Sequence, residues 1–143
     1  MRKHYVVVML ELILHELEKH LGLKAIQDEK GLLGPYLLKI GNELDIYIKE
    51  LETGLVIKSV IAPLIFSGDR ETFFSYLMKA NYLGQGTGGA IIALDPNEKL
   101  LTLSLIIPYE VNYRIFRDRL EEFINYLEFW KSELNRLETR QIV

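Results

Sequence analysis

The chain has 143 residues, close to the size of one folded domain, and its 49% hydrophobic and 26% charged residues are those of ordinary globular protein. A formal net charge of −3 with no clustered run of Lys and Arg excludes recognition of nucleic acid through phosphate contacts. The absence of cysteine removes thiol nucleophiles, disulfides and Cys-based zinc sites together, and one domain in a reducing compartment, the cytoplasm, is the simplest expectation.

The first stretch, MRKHYVVVMLELILHELEKH, imitates a secretory leader by being basic and then apolar. Glu11 and Glu16 interrupt the apolar run well short of a membrane span, so no membrane insertion is expected. Leu10, Ile13, Leu14, Leu17 and Leu21 recur at helical spacing, which predicts a folded first helix. Lys19 and His20 fall in its last turn and Gly22 just beyond, where cations and glycine favour a helix C-terminus. Val6, Val7, Val8 and Met9 widen the apolar surface past one stripe, so this helix is expected to meet a ligand or partner as well as the core.

From Tyr36 the period falls to two. Tyr36, Leu38 and Ile40 form one strand and Leu44, Ile46 and Ile48 a second across the turn GNE, while GLVIKSVIAPL from Gly54 forms a third. Connections this short permit only an antiparallel meander, and Pro63 ends it. Asp69 reads as the N-cap of a helix reaching about Asn81, with Glu71 and Thr72 in its first turn. GAIIAL and KLLTLSLII give two more strands joined by the turn DPNE, with Leu101, Leu103, Leu105 and Ile107 on the buried face of the second. The last helix, from about Asn112 to Leu137, carries a seam of Phe116, Leu120, Phe123, Leu127, Trp130, Leu134 and Leu137 and is roughly 39 Å long at 1.5 Å per residue. The fold class is therefore α+β: an antiparallel twisted sheet of about five strands with three helices, in the order helix, three strands, helix, two strands, helix.

The stretch NYLGQGTGGAIIALD places Gly84, Gly86 and Gly89 at the G-x-G-x-x-G spacing of a dinucleotide cradle. That cradle needs strand, glycine turn and helix in this order, so that phosphate meets a positive helix N-terminus. Here the glycines follow a helix C-terminus and precede a strand, and no Gly-Lys-Ser/Thr follows, so a structural turn is the expectation and no cofactor is called for. Enzyme readings find no better support. His15 and His20 in HELEKH are five apart and diverge on a helix, unlike the four-residue spacing of H-E-x-x-H, and His4 lies in a basic tail. No serine sits in G-x-S-x-G. Glu121, Glu122, Glu128 and Glu133 mix with Arg117, Arg119, Lys131 and Arg136 as a solvated face does. No catalytic, metal or cofactor residue is expected.

The segment LMKANYLGQGTGGAIIALDPNEKLLTLSLIIP, followed by a long amphipathic helix containing LEEFINYLEFWKSEL, resembles the C-terminal half of the small acidic class I chaperones of type III secretion, the Tir chaperone or CesT-like family. The Asn-x-x-Gly-Gln-x-Thr-Gly-Gly-Ala signature is matched by Asn81, Gly84, Gln85, Thr87, Gly88, Gly89 and Ala90, between a helix and a strand as in that family. Residue detail supports the resemblance from about Ser67 onward, and element order and length support it over the whole chain. The resemblance implies a non-enzymatic cytoplasmic bacterial protein, usually a homodimer, that binds the N-terminal segment of a secreted effector in extended form without ATP or metal. A regulatory or adaptor subunit forming a heterodimer with a related chaperone is the alternative on the same fold.

The resemblance also implies which residues meet partners. The family's second helix lies at the dimer interface, which points to Phe73, Phe74, Tyr76, Leu77, Ala80, Asn81, Gly86 and Ile91. The residues themselves agree to the extent that Phe73, Tyr76, Leu77 and Ala80 line one face of this helix and Phe74, Met78 and Tyr82 the next, wider than one core contact requires. Effector grooves in the family form between the first helix and the first three strands, which points to Leu10, Ile13, Leu14, Leu17, Leu38, Ile46, Ile48 and Ile57. By period alone these eight are core positions, and exposure is what would make them a binding surface. Exposed sheet edges would accept an extended client through main-chain hydrogen bonds, tolerating varied sequence.

Overall fold

The computed structural model describes residues 2–27, 35–64 and 68–141, with residues 2–8 and 138–141 by their backbone alone. The side chains of His4, Val6, Val7 and Val8, and Ser67 altogether, lie outside the described residues. In chain order the elements are α1 (Arg2–Leu21), β1 (Ala25–Gln27), β2 (Tyr36–Ile40), β3 (Leu44–Glu50), β4 (Gly54–Pro63), α2 (Arg70–Asn81), a one-turn 3₁₀ helix (Tyr82–Gly84), β5 (Ile91–Leu94), β6 (Leu100–Pro108) and α3 (Tyr113–Gln141). The strands form one sheet in the order β1-β2-β3-β4-β6-β5. The pairs β1/β2, β2/β3, β3/β4 and β5/β6 are antiparallel.

The sixth strand, β1, is the element the hydrophobic pattern does not announce. Its three residues are too short for an alternation to be read, and its one large apolar side chain, Ile26, is half exposed. The last helix also runs four residues past Leu137, to Gln141.

The chain divides into two compact units, Met1–Ser59 with Ile106–Glu121, and Val60–Leu105 with Glu122–Val143; β4, β6 and α3 each run from one into the other. In the first, α1 buries Leu10, Ile13, Leu14 and Leu17. Its end is marked by Gly22 at φ +67°, whose N–H returns to the Glu18 carbonyl at 3.0 Å. Register in the meander sets Leu38 opposite Ile46 and Ile48 opposite Ile57, so the alternate residues Leu44, Ile46 and Ile48 share the buried face. The one polar group on that face of β4, Ser59, donates its hydroxyl to the Asp45 carbonyl at 2.7 Å, which removes the cost of burying it.

In the second unit Asp69 caps α2 as its position predicts, accepting from the Thr72 N–H at 3.3 Å and the Thr72 hydroxyl at 2.7 Å. Asp95 closes the β5–β6 turn by accepting the N–H groups of Lys99 and Leu100 at 2.7 and 2.8 Å, leaving Glu98 in the left-handed region at φ 57°. Leu101, Leu103 and Leu105 of β6 and Phe123, Leu127, Trp130 and Leu134 of α3 form the core, each no more than 6% exposed.

Candidate functional site

The glycine-rich segment is a self-bonded turn. The Gly86 N–H bonds the Ala80 carbonyl at 2.9 Å, and the Gly84 carbonyl receives the Gly89 N–H at 3.2 Å. From α3, the Trp130 indole N–H donates to the Gly86 carbonyl at 3.0 Å. Gly88 sits at φ +64° against the same helix, where a Cβ would lie 2.3 Å from the Tyr126 ring, so neither the backbone angle nor the space admits a side chain. The Gly86 and Gly89 N–H groups that a phosphate could use are thus bonded within the protein itself.

Two signature side chains bond the strand that follows. The Asn81 amide donates to the Ile92 carbonyl and accepts the Ile92 N–H, both at 2.8 Å. Thr87, 1% exposed, donates its hydroxyl to the Ala90 carbonyl, and the Ala90 N–H returns to the Thr87 carbonyl at 3.2 Å.

Around this turn the second unit leaves large apolar side chains in solvent. Phe73 and Leu77 anchor α2 in the interior at 5% and 4% exposed, whereas Met78, Tyr82 and Leu83 are 71%, 66% and 79% exposed. Tyr76, Ile91 and Phe129 are also exposed, and Phe74, Ala80, Asn81 and Gly86 are half-buried. Tyr76 is held at the surface by an edge-on contact with Trp130, ring centres 5.7 Å apart, and donates its hydroxyl to Glu133 Oε1 at 3.2 Å. Partial burial and then the Glu133 charge raise the Tyr76 phenol above its ordinary pKa, so it stays a neutral donor; Arg136 pairs with the same carboxylate. Of the residues the resemblance places at an interface, Tyr76 and Ile91 are the two that are exposed, at 41% and 53%. Met78 and Tyr82 stand out in the sequence because they lie off the buried stripe, but Leu83 and Phe129 do not. Leu83 falls after the helix proper, in a left-handed conformation at φ 53°, and Phe129 stands beside Trp130 on what reads as the polar face of α3.

The eight residues assigned to effector grooves form the interior of the first unit. Leu10, Leu17, Leu38, Ile46, Ile48 and Ile57 are fully buried, and Ile13 and Leu14 nearly so. Among the described residues the exposed large apolar groups of that unit are instead Leu12, Leu21, Ile26, Ile106 and Ile115. His20 bonds Glu16 at 2.8 Å, and among the described residues no three His, Asp or Glu side chains are placed to hold a metal ion. Among those residues, too, no helix is long and apolar enough to cross a membrane.

A family model, described as Tir chaperone protein (CesT) family, matches residues 12–131. The chain belongs to the Tir chaperone protein (CesT) family. Its members are chaperones rather than enzymes. The CesT fold is shared with solved structures at low identity. A chain of the HopA1–SchA chaperone–effector complex superposes with a TM-score of 0.65 at 12% identity, over 87% of this chain and 94% of that one. A chain of the heterodimeric ExoU–SpcU complex from the type III secretion system of Pseudomonas aeruginosa superposes with a TM-score of 0.62 at 19% identity, over 85% and 93%. No curated protein sequence matches this CesT chain.

Proposed function

We propose that this protein is a cytoplasmic type III secretion chaperone that holds the N-terminal segment of a secreted effector in extended form, masks its apolar surface and keeps it competent for export. The observation that carries the reading is the family match over residues 12–131; the likeness to chains from a chaperone–effector complex and from the ExoU–SpcU complex supports it. The interior position of Leu10, Ile13, Leu14, Leu17, Leu38, Ile46, Ile48 and Ile57 gives them the part of a rigid floor, with the client touching exposed neighbours such as Leu12 on α1 and Ile26 on β1.

The working form is a dimer built on α2 and the turn after it. Tyr76 and Ile91 supply contact area, with Met78, Tyr82 and Leu83 beside them in sequence and the half-buried Phe74, Ala80, Asn81 and Gly86 as flanks. Each fully buried large apolar side chain contributes about 1.5–3 kcal/mol, so a handful offsets the several kcal/mol lost to immobilisation on association.

The test is to capture tagged protein from its host, identify what is retained by mass spectrometry, and map which part of it resists protease. A larger protein protected through its N-terminal segment is the expected result; recovery of the chain with no such client would reject the reading. Two subunits of unequal mass would show instead the heterodimeric adaptor form.

A further inference from the structure

The side chains of Asn81 and Thr87 do more than shape a turn. Among the described residues β5 lies at one end of the strand order, with no described strand on its other side. Its ladder with β6 pairs Ile91 with Ser104 and Ala93 with Thr102, and the Asp95 N–H continues it to the Leu100 carbonyl at 3.0 Å. In an antiparallel ladder the intervening residues, here Ala90, Ile92 and Leu94, turn their N–H and C=O groups to the other side. An edge of that kind is a template for any extended chain. Yet at Ile92 both outward groups are taken by the Asn81 amide at 2.8 Å, and at Ala90 both are taken by Thr87, through its carbonyl and its hydroxyl. A primary amide presents an N–H donor and a C=O acceptor side by side, which is why one Asn side chain can occupy both outward groups of a single strand residue.

We propose that the 81–90 segment is an edge guard: Asn81 and Thr87 stand in for a seventh strand and close β5 to pairing, whether with a client segment or with β5 of a second copy. Strand addition is thereby directed away from β5, to the sheet's other edge, β1. This assigns the signature Asn and Thr a role in selecting where a foreign main chain joins. It stands independently of which client is bound.

The test combines amide hydrogen exchange with light scattering on Asn81→Ala, alone and with Leu94→Pro. Leu94 presents the next outward N–H, so proline there blocks a pairing edge without touching the β6 ladder. In the unaltered protein the Ile92 amide is expected to exchange slowly although no described strand lies beyond it. Asn81→Ala should speed Ile92 exchange on the order of tenfold, the loss of about one hydrogen bond, while Ala93 exchange stays as it was. The same variant should form species heavier than the unaltered protein at equal concentration, and adding Leu94→Pro should remove them. Ile92 exchange unchanged by Asn81→Ala would overturn the proposal, as would a lighter species with no heavier one beside it, which marks Asn81 as acting through the dimer contact alone. Heavy species that persist with Leu94→Pro would overturn it too. Asn81→Asp gives a gentler version should the alanine variant fold poorly. It keeps the acceptor for the Ile92 N–H and loses the donor to the carbonyl, so association is expected with Ile92 exchange still slow, and no association would count against the guard.

Discussion

At the scale of single residues the protein's sensitivities follow from groups with no freedom left. Gly88 combines a left-handed backbone with a Tyr126 ring 2.3 Å from where a Cβ would be. Gly88→Ala should therefore cost about 2–4 kcal/mol, from strained φ and overpacking together, read as a lower denaturation midpoint with an unchanged slope. Carboxylates divide by sign. The Thr72 hydroxyl foremost holds Asp69 below the usual carboxylate range, and the Leu100 N–H foremost does so for Asp95. A lowered folded value means that their stabilisation is present above about pH 4 and is lost as pH falls through that lowered value. Glu50 is opposite: burial first and then the Glu11 charge raise it, so its ionised form is the unfavourable one and the penalty grows as pH rises through the raised value. Thermal melts should show Asp95→Asn lowering the melting temperature at pH 7 and Glu50→Gln raising it, with both differences shrinking near pH 3.

At the scale of elements, α2 has two kinds of face. Phe73 and Leu77 fix it to its own unit, while Tyr76 and Met78, with Tyr82 just past its end, are exposed. Its sequence shows the excess of apolar residues, because two adjoining faces of a short helix are hydrophobic. What the sequence does not show is the division of labour, since Phe73 and Phe74 look alike and only packing decides that Phe73 is buried and Phe74 half-buried. Tyr76→Asp places a carboxylate at the proposed interface and beside Glu133, and should halve the mass measured by light scattering, whereas Tyr76→Phe, which keeps the ring against Trp130, should not. A Tyr76→Asp protein of unaltered mass would remove this face from the interface. The eight groove candidates illustrate the same limit from the other side. Period two and period 3.6 identify residues that face inward, so pattern alone selects Leu38 and Ile46 and passes over Leu12 and Ile26, whose exposure follows no period.

For the whole molecule, the two compact units are not separable segments of chain. β4, β6 and α3 each leave one unit and enter the other within a single run of backbone hydrogen bonds. One cooperative unfolding transition is the expected behaviour, with fluorescence of Trp130 in the second unit and far-ultraviolet dichroism of the whole chain giving the same midpoint. Two separated midpoints would refute it. A working dimer should weigh twice the 16.6 kDa of the chain, and its melting temperature should rise with protein concentration, as coupling of folding to association requires.

The sequence by itself determined the order of the elements, the meander, the caps at Asp69 and Gly22, the seam of α3 and the family, because each rests on local chemistry: a periodic apolar face, a side chain returning to its own backbone, or a contiguous signature. It also determined that the glycines are not a phosphate cradle, since helix before strand is the wrong polarity for an anion. Only the tertiary structure decided the sixth strand, which has too few residues to carry a period. It alone showed that Asn81 bonds Ile92 eleven positions on and Trp130 bonds Gly86 forty-four positions back. It alone sorted the apolar residues into those buried in a core and those exposed to solvent. Those outcomes depend on which surfaces meet after folding, and a hydrophobic side chain reads the same in sequence whether its neighbour is its own chain or another.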